Sequence, residues 1–426
     1  MLNRSIAPPI KDAIDYALTL KPYDHYLLDN GVPVYTIDAG AQDVLQVELV
    51  FYAGNYFEQR KGIAAATNYM LKNGTSKRTA FQINEDFEYY GAYCNRSCYN
   101  ETAVISLHTL SKHIEKLLPV IQDMLTDSIF PEEELNIYKQ NSQQRLKVNL
   151  QKAEFVAGRL IDSYLYGEKH PYGTYTKLED IEGLSTGEIK KFYQDYYLKG
   201  QCVMFVSGKL PVGLAQLLNK HFGQLNVVKP TYKLPVIESH PAGQKKYRIQ
   251  NDESAVQGAI RIGAPFPNRH HPDLKRVVVL NNVFGGFFGS RLMGNIREEK
   301  GYTYGIYSYL QNHIAQSAWI ISTEAGKDVC EKTIDEVYLE MKKLREEKID
   351  DEELLLVRNY MIGGILGDLD GPFQIMAKWK NIILNNLDEQ YFYESVQEIK
   401  TVSAEALQDL ANKYLQPDLF YELVVY

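Results

Sequence analysis

The stretch "IEGLSTGEIKKFYQDYYL" (181–198) has a counterpart near the other end of the chain, "IKTVSAEALQDLANKYL" (399–415). In both, a serine precedes an apolar rhythm of helical period, as an N-cap does, because its hydroxyl can accept from an otherwise orphaned amide of the first turn. Ser185 and Ser403 stand 218 residues apart. A second pair keeps nearly the same interval. "FPEEELNIYKQNSQQRL" (130–146) and "IDDEELLLVRNYMIGGI" (349–365) each open on an acidic turn and run on as a helix, and Leu135 and Leu354 are 219 residues apart. A constant long interval between similar helices means that one structural unit occurs twice.

Working outward, each serine-capped helix leads to a β-branched and aromatic stretch, "QCVMFVSG" (201–208) and "LFYELVVY" (419–426). Upstream, "VLQVELVFYAG" (44–54) pairs with "AVQGAIRIGAP" (255–265), and "TAVISLHTL" (102–110) with "SAWIISTEAG" (317–326). These read as strands. Strands and helices mix without strict alternation, so the fold class is α+β rather than a doubly wound sheet. Between the copies lies "VVKPTYKLPVIESHPAGQKK" (227–246), with prolines at 230, 235 and 241 and little helical rhythm. We read it as a linker between an N-terminal domain, 1–226, and a C-terminal domain, 247–426.

Composition narrows the function. The chain has 426 residues, 45% hydrophobic and 23% charged, enough for two domains with their own cores. Its net charge of −8 argues against a nucleic-acid partner. No apolar run has the length of a membrane span, and "MLNRSIAPPIKDAIDYALTL" (1–20) reads as no signal peptide. The expectation is a cytoplasmic protein without membrane attachment. Four cysteines (Cys94, Cys98, Cys202, Cys330) have loose spacing and no histidine companions, and they read as free thiols.

The repeat, together with "GIAAATNYMLKNGT" (62–75), "HPYG" (170–173) and "GSRLMGNIREEKGYTYGIYS" (289–308), resembles the pitrilysin/insulinase family of zinc metallopeptidases, the inverzincins. The bacterial processing-protease branch, related to mitochondrial processing peptidase, is closest in length. The resemblance runs from about residue 25 to the end and implies two similar domains facing each other as a clamshell. The family's chemistry rests on H-x-x-E-H. Histidines at i and i+4 share a helix face and can hold one Zn²⁺, and the glutamate beside them takes a proton from metal-bound water. A glutamate on a later helix completes the ligands.

In that frame, set by Gly62, Gly74 and Thr75, the histidine positions fall on Ala65 and Tyr69, the base on Asn68, and the later glutamate near Arg145. Alanine binds no metal, a tyrosine with an ordinary pKa near 10 is a poor zinc ligand, and asparagine is no general base. From Leu135 to Ala153 no aspartate or glutamate occurs, whereas Lys139, Arg145, Lys147 and Lys152 do. None of the nine histidines forms a chelating pair, because His270 and His271 are adjacent and point apart. The expectation is no metal in this chain, with the three alanines packing their helix closely and Tyr69 filling or rimming the old metal cavity.

The resemblance also implies a substrate-contacting pair, Arg297 and Tyr304 in "REEKGYTY" (297–304). An arginine fork suits carbonyls or carboxylates, and a tyrosine hydroxyl suits an oxyanion. Read alone, the same residues make a solvated helix end and an aromatic strand. "VFGGFFGSR" (283–291) lacks the ending of a phosphate loop and reads as a glycine-rich chamber edge or a hinge. His170 reads as structural. Two functional expectations stand. One is a non-catalytic subunit supplying substrate contacts to a zinc-bearing homologous partner in peptide hydrolysis. The other is an inactive peptide- or protein-binding module of the same fold.

Overall fold

Strand-forming stretches and helical stretches follow one another in two series of similar order, without strict alternation. The computed structural model describes residues 12–426, so residues 1–11, part of the stretch read as lacking a signal, lie outside the described residues. In the first half, β1 (Asp24–Leu27), β2 (Pro33–Asp38) and β3 (Val44–Phe51) lead into α1 (Ile63–Met70) and α2 (Ala80–Tyr89). The strands β4 (Tyr93–Cys98) and β5 (Ala103–Leu110) precede α3 (Ile114–Thr126), α4 (Glu132–Leu150) and α5 (Ala153–Tyr166). Then come α6 (Leu178–Glu182), α7 (Thr186–Tyr193), β6 (Cys202–Gly208) and α8 (Leu214–Phe222).

The second half runs β7 (Lys246–Ile249), β8 (Gln257–Phe266), α9 (Leu274–Asn281), β9 (Thr303–Asn312) and β10 (Ser317–Gly326). It ends with α10 (Cys330–Glu346), α11 (Asp351–Asp368), α12 (Pro372–Leu384), α13 (Glu389–Thr401), α14 (Ala404–Tyr414) and β11 (Tyr421–Val425). Residues 229–245 between the halves carry neither helix nor strand.

The sheets have the same topology. The first is ordered β1-β2-β6-β3-β5-β4 and the second β7-β11-β8-β10-β9, so removing β1 leaves equivalent strands in equivalent places. In each, one pair is parallel (β2 with β6, β7 with β11) and the other pairs are antiparallel. The sequence repeat is therefore a structural duplication within one α+β chain. Both serine caps form as their spacing predicts: Ser185 accepts from the Glu188 amide at 3.3 Å and Ser403 from the Ala406 amide at 3.2 Å.

Each half lends a helix to the other. From the first half, α5 packs on β8 and β11, burying Ala157, Ile161 and Leu165 against Ile320 and Leu423. Gly263 in β8 permits this approach, since a Cβ there would lie 2.8 Å from Ile320 and 3.1 Å from Leu165. In return α12 packs on β2 and β6. Trp379 on α12 donates its indole N–H to the Lys21 carbonyl at 2.8 Å, and Lys380 pairs with Glu48 on β3 at 2.7 Å. Each fully buried aliphatic side chain contributes roughly 1.5–3 kcal/mol, so the exchanged helices bind the halves together. No helix among the described residues is long and apolar enough to cross a membrane.

Candidate functional site

Helix α1 begins at Gly62, whose φ of 85° lies in the left-handed region, and no side chain of the capping residue itself serves the first turn. Glu58 serves instead. Its carboxyl accepts from the amides of Gly62 at 3.1 Å and Ala64 at 3.2 Å, placing an acceptor at the positive end of the helix. Burial pushes the Glu58 carboxyl up to about 7, against the opposing pull of Lys61 at 3.8 Å and of those two amides. Beyond the helix, Gly74 turns with φ of 130°. Thr75 then donates to Asp123 at 2.7 Å, and Lys77 and Arg78 also bind that carboxylate, at 3.0 and 2.6 Å. The loop after α1 is thus held by charge-assisted bonds.

The four positions that the resemblance matches to the zinc site do not converge on one point. Ala65 is half-buried and opens on a cleft of about 430 Å³, whose far wall includes Arg145 on α4. Only its neighbours Ala64 and Ala66 are fully packed, so one of the three alanines faces the cleft rather than the core. Asn68 is 2% exposed and points elsewhere: its amide donates to the hydroxyl of the fully buried Tyr197 at 3.1 Å. Tyr69 does not line the cleft beside Ala65. It lies in an adjoining one, of about 460 Å³, with Tyr138 and Arg145. Its ring packs on Tyr138 at 4.9 Å between centroids and under the Arg96 guanidinium at 5.0 Å, and Arg96 also donates to the Tyr69 carbonyl.

These residues do not fit zinc. Of the four, only the Tyr69 oxygen and the Asn68 amide are donor atoms of any kind, and Asn68 is committed to the core. Glu58 supplies the one carboxylate on the cleft beside Ala65. Among the described residues, no group of three or more histidine, cysteine, aspartate or glutamate side chains is placed to hold a metal ion. All four cysteines are free, and burial pushes the Cys94 thiol up to about 11 and Cys98 up to about 12, far from thiolate chemistry at neutral pH.

Arg297 and Tyr304 are brought together within their own segment. A π-helical turn, Met293–Glu299, ends at Gly301, whose φ of 67° reverses the chain into β9. Arg297 Nε donates to the Tyr304 carbonyl at 3.0 Å, and its guanidinium lies over the Phe288 ring at 4.5 Å. The Tyr304 side chain is 93% exposed on β9, the edge strand of the second sheet. Neither residue lines the clefts around Ala65 and Tyr69. The preceding "VFGGFFGSR" is no hinge at its first glycine. A Cβ on Gly285 would meet the Ser308 Cβ at 2.7 Å, so that position is a close helix-to-strand contact.

Sequence reasoning missed the polar knot where the halves meet. Glu101, just before β5, accepts from the Tyr172 hydroxyl and from the Ile314 amide at 2.9 Å. Tyr172 accepts from the Ala315 amide at 3.1 Å and stacks on His313 at 4.1 Å, and Asn100 bonds His313 at 3.1 Å. Burial, and the nearness of His170, hold the His313 ring down at about 4. Burial also raises Glu101 against the hydrogen bonds from Tyr172 and Ile314 that favour its charge. His170 accepts from the Tyr172 amide at 3.1 Å, a bond that orders the "HPYG" turn. No spacing signal could have linked residue 101 to residue 314.

Residues 34–172 match the family model described as insulinase (peptidase family M16), and residues 183–361 the one described as peptidase M16 inactive domain. A Bacillus subtilis (strain 168) relative described as "Uncharacterized zinc protease YmxG" is 24% identical over 367 residues, covering 85% of this chain and 88% of that protein. The crystal structure of a peptidase M16 inactive domain from Pseudomonas fluorescens superposes with a TM-score of 0.83 at 22% identity, covering 95% of this chain and 98% of that one. That of a protease from Helicobacter pylori superposes with a TM-score of 0.86 at 17% identity, covering 96% and 100%.

Proposed function

This chain belongs to the insulinase (peptidase M16) family, and from that premise we propose that it is a non-catalytic subunit of a heterodimeric zinc peptidase. A zinc-bearing homologous subunit hydrolyses the peptide, and this chain lends it substrate contacts through Arg297 and Tyr304. The chain acts in the cytoplasm as two domains, 1–226 and 247–426, joined by 227–246.

One observation carries the reading. The loss is uneven: the positions for two histidines, a general base and a third ligand hold Ala65, Tyr69, Asn68 and Arg145, while the arginine–tyrosine pair remains, bonded at 3.0 Å and with Tyr304 93% exposed. An exposed tyrosine beside an arginine stacked on Phe288 has no partner to serve in its own cleft. It is available to a surface brought against it. Aromatic side chains and arginine are the groups that most often anchor such contacts.

The test is co-expression with a zinc-bearing homologue from the same genome, purification of the pair, and peptide-hydrolysis assays. The pair is expected to hydrolyse peptide, to carry zinc in the partner alone by elemental analysis, and to lose about 10- to 100-fold of kcat/KM on Arg297→Ala or Tyr304→Phe. A confirmed heterodimer that stays fully active with both substitutions refutes the role given to the pair. A stable complex with an unrelated protein, and none with a zinc-bearing relative, would make the chain a binding module instead.

A further inference from the structure

The cleft beside Ala65 carries a surplus of positive charge. A metal site needs carboxylates and imidazoles, but this cleft is walled by three cations, Lys61, Arg145 and Arg159, against the single carboxyl of Glu58. That carboxyl already accepts from two helix amides and lies 3.8 Å from Lys61. Arg145 has no ion pair among the described residues.

Arg159 is more telling. Its guanidinium is set in place by the Tyr175 ring at 4.1 Å and by a bond from Nη2 to the Thr176 carbonyl at 2.7 Å. Its Nη1 is buried and has no hydrogen-bond partner among the described residues, and the side chain stands between this cleft and a neighbouring one of about 370 Å³ that Glu154 and Asp162 help to line. A buried donor left unpaired is costly, and an oriented guanidinium loses little freedom when an acceptor arrives. The remaining walls divide between amides and apolar groups. Asn149 presents an amide for a peptide's carbonyl, the Asn100 amide being engaged with His313, and Phe155, whose ring meets the Arg159 guanidinium at 5.2 Å, offers an apolar seat for one side chain. At about 430 Å³ the cleft is within the range of small-ligand pockets, roughly 300–1,000 Å³.

We infer that the cleft between α1, α4 and α5 binds the C-terminal residue of a peptide, its carboxylate on Arg159 and Arg145. A planar carboxylate suits a guanidinium fork, and the amide-plus-apolar walls suit an amino-acid residue better than a bare inorganic anion. The site lies in the first half and stands whether or not the chain pairs with a zinc-bearing subunit.

The experiment uses the full chain and titration calorimetry with the peptide acetyl-Ala-Ala-Phe-Leu as its free acid, the same peptide as its C-terminal amide, sodium acetate, and inorganic phosphate. The free acid is expected to bind about 10- to 100-fold more tightly than the amide, the difference made by the carboxylate's charge-assisted contacts with the two arginines. Arg159→Gln should abolish that preference and Arg159→Lys should restore part of it. Arg145→Gln, at an exposed position where folding is not at stake, should reduce it. Equal binding of acid and amide, a preference that survives both glutamine substitutions, or no binding of the acid at millimolar concentration would overturn the proposal. Phosphate or acetate binding as tightly as the acid would overturn it also, since the cleft would then hold any anion rather than a peptide end.

Discussion

Replacing Asn68 by alanine removes the one hydrogen bond that the buried Tyr197 hydroxyl makes among the described residues, the 3.1 Å contact from the Asn68 amide. Both groups are sealed from solvent, with Asn68 2% and Tyr197 1% exposed. The stranded hydroxyl then carries its full desolvation penalty, about 1–3 kcal/mol. Tyr197→Phe strands the amide instead, at about the same cost. In the double variant neither polar group is left unmatched, so its loss should fall short of the sum of the two single losses by about 1–3 kcal/mol. The assay is urea denaturation of the four proteins followed by far-ultraviolet circular dichroism, with m-values compared to confirm that the same surface unfolds. Single losses that add to within about 0.3 kcal/mol would refute the claim that the Asn68–Tyr197 contact is a structural bond of the core.

Two further outcomes test the architecture. Trp379→Ala should cost about 3–5 kcal/mol in thermal unfolding, because that ring is 3% exposed where α12 sits on the first sheet; a loss below 1 kcal/mol would mean that the exchanged helix does not hold the halves together. His313 is kept neutral by burial, down to about 4 from an ordinary 6.5. As pH falls through 6.5 towards 4 the unfolded chain takes up a proton that the folded ring refuses, so stability present above 6.5 is lost across that window. The neighbouring Glu101 is raised and acts with the opposite sign, its contribution being greatest at low pH and lost as pH rises, so the difference between wild type and His313→Gln isolates the ring. That difference should show wild type losing stability faster from pH 6.5 to 4, and parallel curves would contradict it.

Much of the molecule was legible in the chain itself. Ser185 and Ser403, 218 residues apart and each opening a helix, announced the duplication, because caps and periodicity are local signals that survive wherever a helix forms. That Ala65, Asn68, Tyr69 and Arg145, the positions the resemblance matched to a zinc site, cannot supply its ligands and base was equally plain, since a residue type without a donor or a base cannot acquire one by folding. Which way those side chains face was decided only in three dimensions. Residues 65, 68 and 69 are neighbours on one short helix, yet the first opens on a cleft, the second locks to Tyr197 and the third lies between Tyr138 and Arg96. The mutual loan of α5 and α12, the knot of Glu101, Tyr172 and His313, and the unpaired nitrogen of Arg159 also join segments far apart in the chain. Local pattern records what each stretch can become and which groups it carries. Burial and partner choice depend on surfaces that meet only when both halves have folded against each other.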